Sequence, residues 1–166
     1  NTQVLLALGL ALLSQQKCSE AETVLTEAIA ENPSLWEAQL LLSPTLLCLE
    51  KDAKFSTQLV RLERMEAVPK WWLKYFRARF LLKAEQPLAG RAVLENVRNE
   101  EKGFPESYYW IWSSEKDTPL PPQSFAQKYV SICKNLSTKT RSQFKYETNL
   151  CRETEKVEAW LKSRVT

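Results

Sequence analysis

Apolar residues recur every three or four positions along most of the chain, separated by short polar or proline-bearing breaks. This is the pattern of successive amphipathic α-helices. Leu5, Leu8 and Leu12 share one helical face, and Leu25 and Ala28 share the next. Ser19 and Glu22 have the spacing of a capping box that starts the second helix, and Asn32-Pro33 ends it. Further on, Asp52 is placed to cap a helix over about 53–66, while Pro44 falls inside the helix before it and is expected to kink it. Residues 70–83 read as an amphipathic helix with Leu73, Phe76 and Phe80 inward and Lys70, Lys74 and Arg77 outward. Pro87 suits the first turn of the helix that follows.

The last third is less regular. Residues 105–115 predict one helix with Tyr109 and Trp112 on a face, and Pro119, Pro121 and Pro122 make 116–123 a loop. Phe125, Tyr129, Ile132 and Leu136 then repeat at helical spacing, as do Val157, Trp160, Leu161 and Val165. Between them, 137–150 reads as a basic, irregular loop.

The spacing itself repeats with a period of 34. Leu5, Leu8, Gly9, Leu12, Ala21, Leu25, Ala28 and Pro33 are followed by Leu42, Ser43, Leu46, Phe55, Leu59 and Leu62, with the proline displaced to Pro69. Leu73, Phe76, Arg77, Phe80, Ala89 and Val93 come next. Small residues at Gly9, Ala21 and Ala28 let two helices approach closely, and the leucines fill the space between them. This set resembles the tetratricopeptide repeat, with Leu8, Gly9, Ala21, Ala28 and Pro33 agreeing in type. The expected fold is therefore all-α: about three tetratricopeptide-like helix pairs over 1–101, a helix and proline-rich linker over 102–122, and a helical extension over 123–166. The extension has no family resemblance and is expected to pack on the repeats as a cap.

What the resemblance implies is a concave groove that binds protein segments. Position by position it assigns Gln3, Leu6, Leu10, Leu13 and Ser14, then Glu37, Leu40, Pro44, Leu47 and Cys48, then Trp71, Lys74, Ala78, Leu81 and Leu82 to that groove. Leu6, Leu10, Leu13, Leu40, Leu47, Trp71, Lys74 and Leu81 carry the binding prediction. The set is mostly apolar and lacks the Lys/Asn/Arg clamp that holds a C-terminal carboxylate in some relatives. An apolar or amphipathic segment of a protein is thus the expected partner, as in an adaptor, an assembly factor or a sensory domain. Such a patch needs cover from a partner, a second copy, or the chain's own last helix through Trp160 and Leu161. A chaperone for secreted proteins is one alternative. Another is RNA binding through 70–91, where Lys70, Lys74, Arg77, Arg79 and Lys83 are interleaved with aromatics.

Composition narrows the chemistry. The 166 residues contain no His, which removes Ser-His and Cys-His catalytic centres and His-ligated metals. Only three residues are Gly, which disfavours hairpin-rich folds and phosphate-cradling loops. Glu100-Glu101 and Glu153, Glu155 and Glu158 read as solvated carboxylates. No catalytic residue, metal or cofactor is expected. The apolar run 4–13 has no basic residue before it and is too short to span a bilayer. Asn135-Leu136-Ser137 matches a glycosylation acceptor, relevant only to a secreted eukaryotic protein. Cys133 and Cys151 flank a loop of a size that a disulfide would close, which favours an extracytoplasmic, oxidising compartment over the cytoplasm. Spacing leaves the pairing of Cys18 and Cys48 undecided.

Overall fold

The computed structural model describes residues 1–119 and 121–165, and all regular structure among them is helical. In chain order the helices are α1 (Thr2–Ser14), α2 (Cys18–Glu31), α3 (Trp36–Cys48), α4 (Asp52–Glu63), α5 (Lys70–Lys83) and α6 (Pro87–Glu100). They are followed by α7 (Pro105–Glu115), α8 (Gln123–Lys134), α9 (Thr138–Gln143) and α10 (Thr154–Ser163). The helices α1, α3 and α5 begin at residues 2, 36 and 70, so the period of 34 is a period of helix starts.

Each of the three pairs turns in the same way. Gln16, Glu50 and Glu85 adopt left-handed backbone at φ 60°, 57° and 59°. The next residue's N–H reaches back into the preceding helix: Lys17 donates to the Leu12 carbonyl at 2.9 Å, Lys51 to Leu46 at 3.0 Å, and Gln86 to Leu81 at 2.9 Å. This is a Schellman turn built without glycine. It also overturns two expected caps. Because Lys17 and Lys51 are at once the end of one turn and the N-cap of the next helix, Ser19 and Asp52 fall inside α2 and α4 and do not cap them. Asp52 instead places negative charge in a first turn, where the helix dipole favours it. Glu22 reaches across to Lys51, 2.6 Å away. The helix α4 ends at Glu63, earlier than expected, and α3 continues through Pro44.

The chain divides into two compact units, Asn1–Phe76 and Arg77–Thr166. The division falls within α5, and α6 packs against α7 in the second unit.

In the first unit, a side chain on Gly9 would meet Leu25 Cδ2 at 2.6 Å, so the missing Cβ is what seats α1 on α2. Ala21, Leu25, Ala28, Leu40, Leu41 and Leu62 are completely enclosed. Buried Gln58 donates from Nε2 to the Gln39 carbonyl and to its Oε1, both at 2.8 Å, joining α4 to α3. A disulfide between Cys18 and Cys48 ties the start of α2 to the end of α3. Leu8 departs from its expected place between the helices and is 44% exposed.

The second unit centres on Tyr108, Tyr109, Trp112, Ala126, Tyr129, Val130 and Val157. Trp160 and Leu161 of α10 pack against this cluster, Trp160 meeting Trp112 edge to face at 5.4 Å. The buried positions of α6 are Gly90, Leu94 and Val97, one residue later than the period predicts, because α5 has 14 residues where α3 has 13. The stretch 137–150 is not irregular throughout. Ser137 caps α9 by accepting from the Thr140 N–H at 3.1 Å, and Phe144 and Tyr146 are buried after it. Leu136 lies beyond the end of α8, and Val165 lies beyond α10 at 84% exposure. The Cys133–Cys151 disulfide is formed.

Candidate functional site

The eight residues assigned to the groove differ in burial. Leu6, Leu13, Leu40 and Leu47 are buried. Leu10, Trp71, Lys74 and Leu81 are half-buried, and the Trp71 ring stacks on buried Trp72 at 4.2 Å. The leucines are core because α1 and α3 are apolar on more than one face, which spacing alone could not divide into inner and outer sides.

A different concavity is present in the first unit. It is a cleft of about 360 Å³ lined by Glu22 and Thr26 of α2, Leu42 and Leu46 of α3, and Ala53, Lys54, Thr57, Gln58 and Arg61 of α4. Its size falls in the range of small-ligand and side-chain pockets. Leu42 and Leu46 supply apolar lining one helical turn apart, and Ala53 keeps the α4 wall low. Lys54, Thr57, Gln58 and Arg61 follow the i, i+3, i+4, i+7 rule, which places them on one face of α4. Gln58 is spent on Gln39, Thr57 donates to the Ala53 carbonyl at 3.1 Å, and Glu22 is engaged by Lys51. Exposed Lys54 and Arg61 line the cleft seven residues apart, roughly 10 Å along the helix. The repeat pattern named Leu42 and Leu46 as packing positions. It carried no signal that the second helices would leave a cleft over them.

The basic, aromatic stretch 70–91 is largely committed to the fold. Lys70 Nζ donates to the carbonyls of Leu62, Glu63 and Met65 at 3.4, 3.1 and 2.8 Å and so closes the end of α4. The Arg79 guanidinium lies 5.2 Å over the Trp110 ring and 3.8 Å from Glu147. Arg91 pairs with Glu95 and with Glu115.

The second unit contains two buried carboxylates that the sequence reading missed. Glu106 is 4% exposed and Glu147 6%. Glu106 Oε1 accepts from the Cys151 N–H at 2.7 Å, and Glu147 Oε1 accepts from the Asn149 N–H at 3.0 Å. Burial, reinforced by the charge of Glu147, pushes the Glu106 carboxyl up to about 8, against the opposing pull of the Cys151 N–H and Arg79. Tyr129 accepts from the Glu153 N–H at 3.2 Å, and burial holds its phenol above the ordinary value. The clue to Glu106 was its setting in PESYYWIW, since a stretch with apolar residues on nearly every side is buried and takes its acid with it. These groups hold the turn at Cys151 in place. Among the described residues no three His, Cys, Asp or Glu side chains gather as a metal site, and no helix is long and apolar enough to cross a membrane.

Comparison with protein-family models, with curated proteins and with solved structures finds no match to this chain.

Proposed function

We propose that the chain is a non-catalytic protein-binding module built on tetratricopeptide-like helix pairs, and that it seats an apolar or amphipathic segment of a protein in the cleft between α2, α3 and α4. The carrying observation is the cleft itself, with Leu42 and Leu46 over its floor and the cations of Lys54 and Arg61 along one wall. A leucine-sized side chain buried there contributes about 1.5–3 kcal/mol. Two or three such contacts support micromolar binding once the ordering of the segment is subtracted. The two disulfides fit an oxidising, extracytoplasmic setting for this activity. RNA binding is the weaker reading, because Lys70, Arg79 and Arg91 already have intramolecular partners.

The test is selection of a random peptide library on the oxidised chain, followed by fluorescence anisotropy with the enriched sequences. Leu42→Glu should weaken binding at least tenfold and Arg61→Glu severalfold, with circular dichroism unchanged. Enriched peptides that bind both variants as tightly as the unaltered chain would remove the cleft from the reading.

A further inference from the structure

The charges on the walls of the α2–α3–α4 cleft select among apolar partners. On the α2 wall, Glu22 is neutralised by Lys51 at 2.6 Å. On the α4 wall, Lys54 and Arg61 are exposed, and among the described residues their side chains have neither a hydrogen bond nor an ion pair. Asp52 and Glu63, the acidic residues of the same helix, do not line the cleft. The apolar floor of Leu42 and Leu46 is therefore flanked by two cations whose charge nothing in the cleft answers.

We propose that the occupant is an acidic amphipathic helix of a partner protein, with carboxylates at positions i and i+7 and leucine-like side chains at i+3 and i+4. The proposal rests on the cleft being the binding site. The spacing of the cations carries the choice of partner. Lys54 and Arg61 stand seven positions apart on one helix, about 10 Å along its axis. A single carboxylate does not bridge that span, because each charge-assisted hydrogen bond is only about 2.7–2.9 Å long. This sets aside a small monoanion. In an extended segment, residues on the same face lie about 7 or 13 Å apart, on either side of the required distance. Acids at i and i+7 of a helix share one face and lie about 10 Å apart. The side chains at i+3 and i+4 sit between them on that face, where they can enter the cleft over Leu42 and Leu46. The pattern is the same read from either end, so it sets the spacing of the partner's charges and not its direction.

Fluorescence anisotropy with three labelled, alanine-based helical peptides on the oxidised chain tests this. The first has Glu at i and i+7 with Leu at i+3 and i+4, the second has Gln for both Glu, and the third has Ala for both Leu. At low salt the first should bind about fivefold to tenfold tighter than the second, the modest preference expected of exposed ion pairs. That ratio should shrink as salt rises. Lys54→Gln combined with Arg61→Gln should bring it close to one with unchanged circular dichroism, and Lys51→Gln, which uncovers the charge of Glu22, should lower it. Equal binding of the first two peptides overturns the proposal; if Leu42→Glu then weakens both, the cleft stands as a binding site without acidic preference. A third peptide that binds as tightly as the first overturns the proposal and the cleft together, because charge alone then holds the peptide. If neither leucine peptide binds at several hundred micromolar, the acidic-helix occupant is overturned, and the library selection decides separately for the cleft.

Discussion

The Cys151 N–H donates to Glu106 Oε1 across 2.7 Å, joining a buried acid on α7 to the left-handed, disulfide-bonded residue just before α10. Glu106 holds its proton up to about pH 8 in the folded state, whereas an unfolded chain releases it near 4.5. The folded state thus binds more protons between those values, and stability must fall as pH rises through that window. Glu106→Gln keeps an oxygen acceptor for Cys151 and cannot ionise. Urea unfolding at pH 4.5, 6 and 8 should show the variant close to the unaltered chain at the acid end and more stable at pH 8, by on the order of a few kcal/mol. A pH profile that the substitution does not flatten would show that Glu106 is not the titrating group.

Gly9 is required by contact and not by backbone conformation, since its φ is ordinary for a helix. Alanine should gain a little helix propensity, up to about 1 kcal/mol, and lose more against Leu25, with overpacking on the order of 1–3 kcal/mol. Gly9→Ala should therefore be net destabilising in chemical denaturation, and Gly9→Ala combined with Leu25→Val should recover part of the loss. A stabilised single variant would mean that Leu25 moves aside freely.

The three left-handed turn residues make the opposite prediction. Gln16, Glu50 and Glu85 hold a conformation that is about 1–2 kcal/mol unfavourable for a residue with a Cβ. Replacing Gln16 or Glu85 with glycine relieves this at the expense of a more flexible unfolded chain, leaving a net gain of about 0.5–1 kcal/mol. Thermal melts should rise by a few degrees for each and additively for both.

The two disulfides close sequence separations of 30 and 18 residues, and each should stabilise its own unit by about 3 kcal/mol through the unfolded chain. Replacing Cys18 and Cys48 by serine should lower protection from amide exchange in α2 and α3 while α8 and α10 keep theirs. Replacing Cys133 and Cys151 should do the reverse. Equal losses in both units from either replacement would show that the bridges do not act locally.

The helical class, nine of the ten helices among the described residues and the Cys133–Cys151 bridge follow from information local in the sequence: apolar spacing, prolines and one short loop. The 34-residue period placed α1, α3 and α5 for the same reason, since equal helix and turn lengths repeat equal spacings. Which face of a helix is inward is not local. Leu6 and Leu13 are core while Leu8 is exposed on the same helix, because the neighbours in space decide it and α1 is apolar around most of its circumference. The caps expected at Ser19 and Asp52 failed because the preceding turn already closed the helix end through Lys17 and Lys51. The short helix α9 escaped notice because six polar residues carry no periodicity, and it is held by the Ser137 cap beside Phe144. The Cys18–Cys48 bond needed α2 and α3 packed side by side before its two ends, far apart in the chain, came within reach. The buried Glu106 and the cleft over Leu42 and Leu46 are likewise products of packing. Each depends on which surfaces the other helices cover, and that is settled only when the chain has folded.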